Sequence, residues 1–109
     1  MDKTHLIAFC TCPSQEVAER IAEHLVAAEL AACVNMLPGI TSIYRWRGAT
    51  HRDAELLLLI KTTQQAYPAL EQAIRQLHPY ELPEIIAVGV EQGLPDYLRW
   101  MTEQTQARS

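Results

Sequence analysis

The 109-residue chain predicts an α+β domain with ferredoxin-like β-α-β-β-α-β order. This is a four-stranded antiparallel sheet with two helices on one face, followed by a short C-terminal helix. Three observations predict it. Strand-like and helix-like apolar periods alternate in that order, two long alternating runs flank a single turn, and prolines punctuate the boundaries. There is no linker, low-complexity tract or internal repeat beyond the two helix-plus-strand halves, so residues 1–109 form one domain with an ordered core from about 5 to 102.

Residues 5–12 (HLIAFCTC) read as the first strand, with Ile7 and Phe9 on one side and Leu6, Ala8 and Cys10 on the other. Pro13-Ser14 opens a helix, Ser14 serving as N-cap and Glu16 favouring the first turn. Val17, Ile21, Ala22, Leu25 and Ala28 share one helical face, and Glu16 and Arg20 pair on another. Strand pattern resumes over 31–37, breaks at Pro38-Gly39, and continues through Trp46, which reads as one long strand with a bend or bulge. Gly48-Ala49-Thr50 reads as the turn. The return strand runs from His51 to Thr63, and its apolar run Leu56–Ile60 suits a strand covered on both faces. A second helix fits Tyr67–Leu77, with Leu70, Ala73, Ile74 and Leu77 inward. Residues 85–90 make the last core strand, Pro95–Met101 a short helix, and the polar tail is expected to fray.

Two helices cover one face of such a sheet, yet the central hairpin is apolar on both. Its strands of roughly 15 residues greatly exceed the usual length of about 5–6. A lone chain would expose an apolar patch and a bare edge, so an obligate homo-oligomer is expected.

Composition narrows the function classes. Nine Lys and Arg against thirteen Asp and Glu give a net charge of −4. The one basic run, Arg45-Trp46-Arg47, is too small a footprint for nucleic acid. No apolar run is long enough for a membrane span, and the first residues lack a signal-peptide pattern. Cys10, Cys12 and Cys33 match no zinc-finger or CxxC spacing, and an odd number cannot all pair, so a reducing cytoplasm is expected. No Gly-rich phosphate loop and no GxSxG or HExxH motif exists, which argues against an enzyme and against conventional nucleotide binding.

The most chemically loaded stretch is Leu77-His78-Pro79-Tyr80-Glu81-Leu82-Pro83-Glu84-Ile85. Each proline forces the preceding residue, His78 or Leu82, toward extended geometry. The stretch is either a rigid turn or the wall of a polar pocket.

In chain order, several blocks resemble the CutA divalent-cation tolerance proteins. They are Cys10-Thr11 before Pro13, Leu30-Ala31-Ala32-Cys33-Val34-Asn35, Pro38 to Gly48, Glu55 with Lys61-Thr62, His78 to Ile85 and Tyr97-Leu98-Arg99-Trp100. The resemblance covers nearly the whole chain, from Leu6 to Trp100. It implies a ferredoxin-like homotrimer similar to PII signalling proteins, with copper binding and a role in tolerance to divalent metals. It also implies metal ligands at the cysteine ending the first strand and at a histidine pair before the proline. Cys10 and His78 occupy two of those positions, and Leu77 stands where the other histidine would be.

Soft ions such as copper prefer thiolate and imidazole. Two ligands make a weak site unless Cys12, a carboxylate, water or another subunit completes it. The bland reading stays beside this one: Cys10 is core packing and His78 a hydrogen-bonding turn residue. Cys33 reads as packing, and His5, His24 and His51 as surface residues. Copper or another divalent metal is thus the expected ligand, not one the fold requires. The alternative is a PII-like sensor or scaffold that takes a small molecule or partner protein in an intersubunit cleft. Its candidates are Trp46, Glu55, Lys61, Tyr80, Glu81 and Glu84, with Lys61 suited to an anion. Against this, Lys61 reads as a solvated strand end and Trp46 as an interface aromatic.

Overall fold

A computed structural model describes residues 4–106. The elements run β1 (His5–Cys12), α1 (Gln15–Ala27), β2 (Cys33–Trp46), β3 (Ala49–Thr63), α2 (Tyr67–Leu77), β4 (Ile86–Gly89) and α3 (Pro95–Gln104). The sheet has the order β2-β3-β1-β4, with every neighbouring pair antiparallel. The α+β, ferredoxin-like expectation therefore holds.

Helices α1 and α2 lie on one face of the sheet. Period 2 along β1 and β3 turns Ala8, Cys10, Cys12, Leu58 and Ile60 toward them, where they meet Ala18, Ile21, Leu25, Leu70 and Ile74. Ser14 caps α1 as its sequence suggests, its hydroxyl accepting from the Val17 amide at 3.2 Å. The opposite face carries Ile7, Phe9, Leu57, Leu59, Ile86 and Val88, since Phe9 pairs with Ile86 and Ile7 with Val88. Helix α3 reaches only the start of β1 and the end of β3, through His5–Thr102 and Thr63–Thr105 hydrogen bonds.

The long hairpin is bulged where the proline suggests. Leu37 pairs with Leu57 and Ile40 with Glu55, so Pro38 and Gly39 together face Leu56 alone. Gly39 adopts φ +82°, which a side chain would resist. The hairpin projects past the helices and stretches the domain to 44 × 25 × 22 Å.

Several boundaries differ from the sequence reading. The turn is Arg47-Gly48, not Gly48-Ala49-Thr50: both residues have positive φ, 53° and 80°, the twist a two-residue hairpin loop requires. β3 is covered on both faces only in part, with Leu57 and Leu59 half-buried beside buried Leu58 and Ile60. Expected over 85–90, β4 is a four-residue edge strand with Ile86 57% and Val88 51% exposed. The tail does not fray at Met101. α3 continues to Gln104, and the buried Thr105 hydroxyl donates to the Met101 carbonyl at 2.8 Å. Residues 107–109 of that tail lie outside the described residues.

Candidate metal centre and adjoining cleft

His78 reaches the sheet because α2 must end there. Its amide still donates to the Ile74 carbonyl at 2.8 Å, but its own backbone is extended (φ −82°, ψ 135°), as the following proline demands. The side chain turns onto the C-terminal end of β1. There Cys10 and Cys12, two residues apart on one strand, both face the helices. The ligand atoms of Cys10, Cys12 and His78 lie within 4.8 Å of one another, and all three residues are buried. Sequence reasoning paired Cys10 with His78. The i,i+2 spacing was the signal that Cys12 joins them.

The imidazole is held at both nitrogens. Nδ1 takes a hydrogen bond from the Tyr80 amide at 3.2 Å, and Nε2 lies 2.7 Å from the Thr11 carbonyl oxygen. An amide can only donate and a carbonyl can only accept, so the partners fix the neutral Nε2–H tautomer. Burial opposes the charged ring, while Cys12 and the Thr11 carbonyl favour it and lift His78 above its ordinary pKa. The Tyr80 amide facing Nδ1 acts against that second proton.

The two thiols part in the same corner. Hydrogen bonding from Cys10, helped by His78, lowers Cys12 from 9.0 to about 6 against the burial that opposes it. Hydrogen bonding with Cys12 and then burial push Cys10 up. Cys12 is therefore the first to ionise, and a thiolate is the form that ligates. Two sulfurs and one imidazole nitrogen suit a soft ion such as Cu(I) or zinc. The ligand atoms are already close, but both nitrogens of His78 have partners, so ligation by the ring would have to displace one of them.

Immediately beyond this corner, the hairpin and the 80–86 loop enclose an open cleft of about 760 Å³ lined by Thr11, Tyr44, Trp46, Glu55, Tyr80 and Glu84 among others. The Tyr80 hydroxyl donates to Glu55 Oε2 at 2.6 Å, and burial together with that carboxylate raises the Tyr80 pKa. Glu55 is only 6% exposed, with the Tyr80 hydroxyl as its hydrogen-bond partner. At the rim, Arg47 Nη2 bridges to Glu81 at 2.9 Å, and the Arg47 guanidinium sits 5.2 Å from the Trp46 ring centroid. Tyr44 donates to Asp53 and stacks on His51. Trp46, Glu55, Tyr80, Glu81 and Glu84 thus share one cleft. Lys61 does not join them. It lies opposite Cys33 and Ile7, six residues or roughly 20 Å along β3 from Glu55, with its amine donating to Asn35. Cys33 is half-buried and outside the cysteine–histidine corner.

The family model for the CutA1 divalent ion tolerance protein matches residues 6–104. The divalent-cation tolerance protein CutA of Thermus thermophilus is 52% identical over 99 residues, covering 91% of this chain and 96% of that one. The human protein CutA is 49% identical over 102 residues, covering 94% of this chain but only 57% of its own length. Among solved structures, the Thermus thermophilus divalent cation tolerance protein superposes with a TM-score of 0.91 at 50% identity, over 93% of this chain and 98% of that chain. CutA from Xylella fastidiosa gives 0.92 at 45%, over 94% and 99%.

Proposed function

The chain belongs to the CutA1 divalent ion tolerance family, and we propose that it serves the response to metal ions as a non-enzymatic binder of a soft ion, copper foremost, at Cys10, Cys12 and His78. The observation that carries this reading is the convergence of two thiols and an imidazole, the imidazole 66 and 68 residues along the chain from Cys12 and Cys10, within 4.8 Å. Cys12 supplies a third donor where Leu77 offers none. The ion binds weakly because both nitrogens of His78 already have partners that ligation must displace. Cys10, Cys12 and Cys33 are free thiols, in keeping with a reducing cytoplasm. The working unit is a homotrimer, in which other copies cover Ile86, Val88 and the long edge of β2. No helix among the described residues is long and apolar enough to cross a membrane.

Anaerobic competition for Cu(I) against a chromogenic chelator tests the reading. Cys10→Ala/His78→Ala should lose at least about 100-fold in affinity, beyond what outer-shell changes cost. Binding as tight as in the unaltered chain would eliminate this site.

The cleft favours a second reading, a PII-like sensor or scaffold that takes a small molecule or partner protein near Trp46, Glu55, Tyr80, Glu81 and Glu84. Thermal-shift screening of metals against metabolites separates the two, because a ligand of the folded state raises its melting temperature.

A further inference from the structure

One residue touches both the cysteine–histidine corner and the cleft. The main-chain N–H of Tyr80 donates to His78 Nδ1 at 3.2 Å, and its hydroxyl donates to the buried Glu55 at 2.6 Å. The ring of Tyr80 also lies against the His78 imidazole, with centroids 4.7 Å apart. Glu55 belongs to β3 of the projecting hairpin, on the strand that pairs with Tyr44 and Trp46 through β2. From the imidazole to the hairpin, therefore, every link is a direct contact.

The chemistry of imidazole makes that chain of contacts sensitive to occupancy. A neutral ring has one lone pair available for ligation, and here Nδ1 spends it on the Tyr80 amide. A metal bound through Nδ1 displaces that amide outright. A metal bound through Nε2 drives the ring proton to Nδ1, where it opposes the amide donor. Either nitrogen gives the same result: ligation by His78 removes the acceptor of the Tyr80 N–H. Burial points the same way. Cys10 and Cys12 are 0% exposed and His78 is 6% exposed, so an ion enters only if something at the surface of this corner moves. Pro79, Glu81 and Leu82, which flank Tyr80, are exposed, and among the described residues only the exposed Arg47–Glu81 ion pair ties that stretch to the hairpin tip.

We propose that Tyr80 is a two-ended clasp that couples metal occupancy of Cys10, Cys12 and His78 to the conformation of the hairpin cleft. The inference rests on the metal reading above and adds regulation to it. With the corner metal-free, the clasp is shut: amide on His78, hydroxyl on Glu55. Ligation frees the amide and lets residues 79–84 swing away, and Glu55 then loses its hydroxyl partner and the cleft changes shape. Coupling of this kind is reciprocal, so whatever loosens the clasp from the cleft side also favours the ion.

Reciprocity gives the test an unusual sign. Cu(I), buffered by a chromogenic chelator without oxygen, is titrated into the full chain and into Tyr80→Phe and Glu55→Gln. Both variants weaken the clasp, but Glu55→Gln also removes a charge that acts on Cys10, Cys12 and His78, so Tyr80→Phe, which alters no charge, decides the sign. Each should bind Cu(I) about three- to tenfold more tightly than the unaltered chain, the range set by one lost hydrogen bond. Weaker binding in Tyr80→Phe would mean that Tyr80 merely supports the site, and unchanged binding there would mean that the loop stays shut on ligation. Either result overturns the clasp. A second readout needs no substitution: amide hydrogen exchange over residues 79–84 should quicken when Cu(I) is added, and protection that stays constant or rises would contradict the proposal. Cys10→Ala/His78→Ala separates the two claims. If the unaltered chain binds Cu(I) and that double variant does not, while Tyr80→Phe is unchanged, the clasp fails and the site stands. If the double variant binds like the unaltered chain, both fail.

Discussion

The two faces of one sheet behave as though they belonged to different proteins. Under α1 and α2, Ala8, Cys10, Leu58, Ile60 and Thr62 are fully buried, and the Thr62 hydroxyl is satisfied by the Leu30 carbonyl at 2.7 Å. On the opposite face, Leu37, Ile86 and Val88 stand 39–57% exposed and α3 reaches only one end. Both faces carry the aliphatic side chains of a core, yet one alone is closed within the chain. The difference is what the proposed homo-oligomer accounts for: in it, further copies of the chain close the second face. The cysteine–histidine corner lies on the closed face and the cleft at the open end.

Substitutions on the two faces sharpen that contrast. Leu58→Ala should cost the most, about 3–4 kcal/mol in urea unfolding, because a fully buried leucine leaves a cavity. A loss below about 1 kcal/mol would show that the helix-covered core is looser than its burial implies. Ile86→Lys should cost about 2 kcal/mol per subunit and shift the species in light scattering toward the single-chain mass. If the mass is unchanged and the cost negligible, the open face is not an interface.

Tyr80→Phe should cost about 1 kcal/mol at neutral pH, where the phenol is protonated and donates to Glu55. Because folding raises this pKa, the contribution is complete below the unfolded value of 10 and disappears as pH climbs through the higher folded value. The gap between the unaltered chain and Tyr80→Phe should therefore narrow above about pH 10, which alkaline urea titrations would show. A gap that widened instead would contradict the donor role. The smallest effect belongs to Arg47→Ala. The Arg47–Glu81 pair is 68% and 73% exposed, so its loss should change stability by less than about 0.5 kcal/mol.

How much was legible in the sequence depended on the range of the interaction. Period-2 and helical alternation are local, so the four strands, the two covering helices and the Ser14 cap could be read directly. Pro38-Gly39 announced the bulge for the same reason. The turn was misplaced because Gly48 signals a positive φ but Arg47, which shares it, is not a residue that does so. The tail read as frayed because Thr105 finds its partners in Met101 and, 42 residues away, Thr63. In the site, period 2 put Cys10 and Cys12 on one side, whereas the arrival of His78 is tertiary and only the resemblance suggested it. Lys61 looked like a cleft residue because nothing in the sequence says that Asn35 takes its amine. The double role of Tyr80 left no trace in composition or spacing, since one of its two donors is a main-chain amide.

A crystal grown with Cu(I) under reducing conditions and measured at the copper absorption edge tests the central claim most directly. The account predicts one anomalous peak per chain, within bonding distance of the Cys10 and Cys12 sulfurs and one nitrogen of His78. A peak at the acidic residues of the hairpin cleft, with that corner empty, would contradict it.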